Sequence, residues 1–171
     1  MMAAALTLLA AGDSSRTLHL FDTFEGMPPP TVFDRAVESG KLASVLLKEA
    51  GKASDIWAYA EIDEVQANLT STGYPAEHFH LIRGKVEDTI PGVSPSQIAI
   101  LRLDTDWYES TKHELIHLFP KLSVGGVLII DDYGCWEGAR KAVDEYIEAN
   151  HLPILLNRID DNGRIAIKLS S

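Results

Sequence analysis

The amino-acid sequence predicts an α/β fold with a mostly parallel sheet that ends in an antiparallel hairpin. Three observations carry that prediction. Short runs rich in Ile, Leu and Val alternate with stretches of helical periodicity, the pattern of strands covered on both faces and joined by crossover helices. Three of these runs end in aspartate, and one parallel sheet would bring those ends to a common edge. The last two runs are joined by Asp160-Asp161-Asn162-Gly163, where Asn-Gly is a strong hairpin signal.

In order, the chain opens with MMAAALTLLAAG, which is apolar but too short to cross a hydrocarbon core of roughly 30 Å. It lacks the positive flank of a signal peptide, so it reads as a helix buried on most sides. Strands are expected at Leu18–Asp22, His78–Arg83, Ile98–Asp104, Gly126–Asp131, Pro153–Ile159 and Arg164–Leu169. Helices are expected at Ala60–Thr72, Glu109–Leu118 and Trp136–Asn150. In the last of these, Ala139, Val143, Tyr146 and Ile147 share a face. The stretch 26–75 is too long for a plain connection and carries Pro28-Pro29-Pro30, Trp57 and Tyr59. Ligands of open α/β sheets bind beyond the carboxyl ends of the strands, so this insert is expected to form a lid or substrate wall, or a decoration that only packs. Residues 1–171 together read as a single domain.

Composition narrows the function. A formal charge of −10, with 46% apolar and 23% charged residues, describes a soluble globular chain. Neither a basic cluster nor a basic amphipathic stretch is present, so nucleic acid and anionic membrane are excluded as main partners. The single Cys135 allows no internal disulfide and fits a reducing compartment, hence a cytoplasmic location.

The candidate chemistry lies at the strand ends: Asp22 closes LHLFD, Asp104 closes IAILRLD, and Asp131 with Asp132 closes GVLIIDD. A lone aspartate there is most often a cap or turn residue. Carboxylates gathered within a few ångströms must take up protons or hold a cation, and oxygen-only ligands suit Mg²⁺, Mn²⁺ or Ca²⁺. Asp104, Asp131 and Asp132 therefore form a candidate hard-metal site, with Asp106 as a reserve ligand or a helix cap. An acid in the position of Asp22 typically accepts from ribose hydroxyls in a nucleotide-binding sheet.

A competing motif is His113-Glu114-Leu115-Ile116-His117, the H-E-x-x-H of zinc proteases. No H-x-x-G-x-x-H continuation follows, Pro120 ends the helix one turn later, and Lys141 stands where an acid is usual beyond Glu137. The same stretch also reads as a crossover helix with Thr111, Leu115 and Leu118 inward and Lys112, His113 and His117 outward.

The segments FDTFEGMPPP (21–30), RLDTDWYESTKHELIHLFPKLSVGGVLIIDDYG (102–134) and GARKAVDEY (138–146) resemble the macrocin O-methyltransferase (TylF-type) family, from about residue 1 to the C-terminus. The resemblance implies a Rossmann-like class I methyltransferase sheet and an enzyme dependent on S-adenosylmethionine and Mg²⁺ that methylates sugar hydroxyls of natural products. It implies metal ligands at Asp104, Asp131 and Asp132, a general base at Asp104, and a ribose-binding acid at Asp22. The stretch RGKVEDTIP (83–91) resembles the adenine-bracketing loop of catechol-type methyltransferases, pointing to Val86 and Glu87; a turn and N-cap is the alternative. The chemistry suits the residues: a sugar hydroxyl is a poor nucleophile near neutral pH, and a nearby cation with an aspartate to take the proton would remedy that.

One element departs from the family pattern. The first strand and its acidic, glycine-rich loop have no counterpart, since Gly12 follows the opening helix rather than preceding it. That strand lies mid-sheet in the family, between the strands ending at Asp22 and Asp104. The chain is therefore expected to be N-terminally truncated, with unpaired strand edges and weakened cofactor binding. A non-catalytic remnant of the same ancestry is the main alternative function, and a zinc hydrolase using His113 and His117 the lesser one. The expected partner is a small hydroxylated acceptor such as a glycoside; a homo-oligomer is compatible.

Overall fold

The computed structural model describes residues 1–50 and 55–170. In chain order its elements begin with α1 (Met2–Ala10), β1 (Leu18–Asp22), α2 (Ala43–Glu49), α3 (Ile62–Thr70), β2 (Phe79–Arg83) and α4 (Val86–Thr89). They continue with β3 (Ile98–Leu103), α5 (Tyr108–Leu118), β4 (Leu122–Ile130), α6 (Glu137–Ala149), β5 (Asn157–Arg158) and β6 (Arg164–Ile167). The chain divides into two compact units, Met1–Pro28 with Lys52–Thr89 and Pro29–Gly51 with Ile90–Ser171.

In the first unit β1 and β2 run parallel, in register from Leu18 opposite Phe79 to Asp22 opposite Arg83. Ala5, Leu18 and Tyr74 form its buried core, with Leu8, Leu9, Leu20 and Phe79 packed against them. The Tyr74 hydroxyl donates to the Arg16 carbonyl at 2.8 Å, which lets a buried phenol keep a partner. The helix α1 corrects the expectation of burial on most sides. Ala5 alone is fully buried along it, and Leu6 is half exposed, because only one face of α1 meets this small core.

The second unit carries a four-stranded sheet of order β3-β4-β6-β5, with β3 and β4 parallel and the other pairs antiparallel. Leu103, Leu115, Leu128, Ile130 and Val143 are all but inaccessible in its core, and α5 packs against α6. Burial of the Lys168 side chain is offset by hydrogen bonds from its ammonium to the carbonyls of Phe119, Pro120 and Leu122. The strand β4 starts at Leu122, earlier than its apolar run suggests, and carries an irregularity opposite Ile98 to Ile100. The strand β5 shrinks to two residues: Pro153 offers no N–H, and only Asn157 and Arg158 find partners on β6.

The described strands form two sheets, with the unpaired strand edges that the sequence reading expected. Each parallel pair is separate, so β1 and β3 both keep one edge without a strand partner among the described residues. Within the stretch 26–75, residues 29–51 belong to the second unit and the remainder to the first. Among the described residues no helix is long and apolar enough to cross a membrane.

Candidate functional site

The acidic cluster arises from strand register. Leu103 of β3 pairs with Ile130 of β4, so the residues that follow, Asp104 and Asp131, stand abreast where the parallel pair ends. The Asp131 N–H donates to the Leu103 carbonyl at 3.0 Å and closes the ladder. With Asp132 they form the one group among the described residues able to offer three metal-ligating atoms, each within 4.8 Å of the others. Asp132 is buried at 8% relative exposure, whereas Asp104 and Asp131 reach solvent.

One residue beside the cluster escaped the sequence reading. Arg102 precedes Asp104 by two, so strand alternation puts both on the same side. Its guanidinium donates from Nη1 to Asp104 Oδ2 at 2.5 Å, and its Nη2 lies 3.0 Å from Asp131 Oδ1. Asp106, read as a reserve ligand, has left-handed backbone (φ 62°), and its N–H donates to Asp132 Oδ2 at 3.2 Å. Burial pushes the Asp104 carboxyl up to about 7, against the pull of Arg102 and with Asp131 and Asp132 adding to the rise. For Asp106, burial and then the Asp132 carboxylate push it up to about 9. Burial likewise takes the Cys135 thiol up to about 12, with Asp132 next in effect. These are the signs of too much negative charge for the space.

The loop that carries the cluster is held from two directions within the second unit. Gly134 lies against the hairpin turn: a Cβ there would stand 1.9 Å from the Asp161 carbonyl oxygen, and the Gly134 N–H donates to the Asn162 carbonyl. Asp34, fully buried, binds the start of α5 by accepting from the Tyr108 N–H at 2.8 Å. It also accepts from the Thr31 N–H at 2.6 Å and the Thr31 hydroxyl at 2.9 Å. Only glycine fits at 138, where a Cβ would meet Asp34 Oδ1 at 2.0 Å. Asp34 thus ties the segment after Thr31 to the start of α5, and the Arg35 carbonyl, accepting from the Glu137 N–H at 2.9 Å, ties it to the start of α6.

The residues expected at a cofactor lie in the first unit. Asp22 ends β1 and is exposed, and its Oδ1 accepts from the Phe24 N–H at 2.7 Å, shaping the turn. Val86 opens the short α4 and is buried; Glu87 follows, half-buried. A cavity of about 250 Å³ beside these elements is lined by Thr23, Glu25, Gly26, Met27, Arg83 and Lys85 among others. Glu25 and Arg83 form an ion pair on its wall. Trp57 packs on this loop through its carbonyl, which accepts from the Met27 N–H.

The H-E-x-x-H helix is a crossover helix. Thr111, Leu115 and Leu118 are buried as expected, but so is Glu114, which accepts from the Thr105 hydroxyl at 2.9 Å. His113 and His117 lie together with ring centroids 4.4 Å apart, and His113 Nε2 is 2.8 Å from the Ile90 carbonyl. Among the described residues no third His, Cys, Asp or Glu joins them as a ligand.

Parallel strands ending in clustered carboxylates and followed by helices, with an antiparallel hairpin closing the sheet, define a class I methyltransferase fold. Residues 1–166 match the sequence model of the macrocin-O-methyltransferase (TylF) family, and the chain belongs to that family. It is 33% identical over 156 residues to 8-demethyl-8-(2,3-dimethoxy-alpha-L-rhamnosyl)-tetracenomycin-C 4'-O-methyltransferase of Streptomyces olivaceus, covering 91% of this chain and 56% of that protein. Mycinamicin III 3''-O-methyltransferase of Micromonospora griseorubida is 32% identical over 148 residues, covering 86% and 56%. The solved structure of the O-methyltransferase NovP superposes with a TM-score of 0.81 at 29% identity, over 99% of this chain and 66% of that one. A calicheamicin methyltransferase at 18% identity shares the fold, with a TM-score of 0.70 over 99% and 67%. The chain therefore spans little more than half the length of the curated relatives it matches.

Proposed function

We propose that this chain is part of an O-methyltransferase that moves a methyl group from S-adenosylmethionine to a hydroxyl of a sugar or glycosylated secondary metabolite, with Mg²⁺ at the acidic cluster. One observation carries the reading: Asp104 and Asp131 stand abreast at the end of paired strands with Asp132 close by, in a chain of this family. The names of the relatives, with a rhamnosyl-tetracenomycin and mycinamicin III as acceptors, support the acceptor class.

The donor set fits a hard divalent ion. It is all oxygen, and one guanidinium meets two of its three carboxylates, leaving a surplus of negative charge. Asp104, Asp131 and Asp132 would hold the ion, which lowers the cost of negative charge developing on the acceptor oxygen. Asp22, Val86 and Glu87 would hold the nucleoside of the cofactor, whose sulfonium supplies an electrophilic methyl. Asp104 would take the proton of the acceptor hydroxyl.

A second assignment of the base has its own support. A carboxylate oxygen engaged with a cation is less basic, and Asp106 lies two residues on, in left-handed backbone against Asp132. Asp104→Asn and Asp106→Asn separate the two. Asp104→Asn is expected to keep the fold and to lose both metal binding and S-adenosylhomocysteine formation. Loss of turnover in Asp106→Asn with unchanged Mn²⁺ binding assigns the base to Asp106; full turnover by Asp104→Asn in excess Mg²⁺ sinks the assignment at 104. Calorimetric titration of S-adenosylmethionine, with and without Mg²⁺, tests the enzyme reading itself. No heat of binding under either condition would favour the non-catalytic remnant.

A further inference from the structure

Among the described residues, Arg102 is the one cation placed against two of the three clustered carboxylates. We infer that it is an internal stand-in for the metal: it holds Asp104 and Asp131 together in the metal-free chain and withdraws when a divalent ion enters. The inference rests on the metal centre proposed above and deepens it by assigning Arg102 as a positioning residue.

The placement follows from the strand. Arg102 and Asp104 share a side of β3, and the register Arg102 opposite Ile129 brings the guanidinium to the level of Asp131. One arm of the fork meets each carboxylate, at 2.5 Å and 3.0 Å. A guanidinium does this where an ammonium would offer a single point of charge. Asp132 stands outside the fork; it is held instead by the Asp106 N–H, with Cys135 Sγ 3.5 Å from its Oδ1. Three carboxylates and one guanidinium leave two negative charges, which a divalent ion balances.

Arg102 has no means of shedding its charge, because guanidinium does not deprotonate in proteins. An ion entering beside it meets a like charge a few ångströms away, and competes for the same carboxylate oxygens. Its side chain is 41% exposed, so it has solvent into which to swing. The consequence is an acidic cluster that stays assembled without metal and that binds metal more weakly than its three carboxylates alone would.

The test uses metal-free protein, Mn²⁺ as the probe, and two readouts that do not involve turnover. Free Mn²⁺ is followed by electron paramagnetic resonance during titration of wild type, Arg102→Met and Arg102→Lys, and each is melted in EDTA. Arg102→Met is expected to melt lower in EDTA and to bind Mn²⁺ about tenfold more tightly. Arg102→Lys should lie between, and serves if the methionine variant fails to fold. Equal or weaker Mn²⁺ binding by both variants overturns the inference, since Arg102 would then orient the ligands rather than replace the ion. Absence of Mn²⁺ binding in wild type and variants alike would remove the metal centre, and the inference with it.

Discussion

At the scale of single residues, Asp34 shows how one carboxylate can organise a site it does not enter. It is fully buried and satisfies three donors, the N–H groups of Tyr108 and Thr31 and the Thr31 hydroxyl. Truncating it would strand the buried Tyr108 N–H and leave the half-buried Thr31 donors unpaired, at a combined cost of about 3 kcal/mol. Asp34→Ala is therefore expected to lower Tm by several degrees, read by calorimetry or circular dichroism. Asp34→Asn should lose less, since its amide oxygen still accepts one of the donors. An Asp34→Ala protein with unchanged Tm would mean that the loop after Thr31 contributes nothing to holding α5. Sequence patterning gave no hint of this residue. Its partner Tyr108 lies far along the chain, and no periodicity links a loop aspartate to a distant helix start.

At the scale of elements, the sequence was most legible where chemistry and local pattern coincide. Apolar runs ending in Asp104 and Asp131 announce two parallel strands, and their adjacency alone brings the acids together. What stayed hidden depends on partners. Arg102 reads as one charged residue inside a strand until the register sets it between Asp104 and Asp131. The run Pro153–Ile159 reads as a full strand, yet ladder partners exist only for Asn157 and Arg158. Unpaired strand edges were legible only through the family resemblance, since no local pattern encodes which edges pair. Gly134 joins two of these elements, and its lack of a side chain is required by the Asp161 carbonyl. Gly134→Ala must push the β5–β6 turn away from the loop after β4, at a cost of roughly 1–3 kcal/mol. A lower urea midpoint with an unchanged slope is the expected result; an unaltered midpoint would show that the turn yields freely.

At the scale of the whole molecule, net charge and the acidic cluster act in the same direction. The chain carries a formal charge of −10, so each further ionisation adds to self-repulsion. In the metal-free protein the Asp104 and Asp106 carboxyls lie at about 7 and about 9, well above the 3.8 of an unperturbed aspartate. The folded state then binds more protons than the unfolded one across that interval. Stability must therefore fall as pH rises from about 4 towards 9, because burial outweighs the pull of Arg102 on Asp104. Asp104 is close to half exposed, which screens its share, so Asp106 should dominate. Melting in EDTA is expected to give a Tm lower at about pH 8.5 than at about pH 5.5, and Asp106→Asn should flatten that decline. A divalent ion reverses the order of preference, because it binds the ionised carboxylates and displaces their protons. The stabilisation by Mn²⁺ should then be larger at the higher pH, where fewer protons compete. A Tm in EDTA that rises across this range would mean that the acids are held ionised by the fold itself, and the case for a cation at the cluster would weaken.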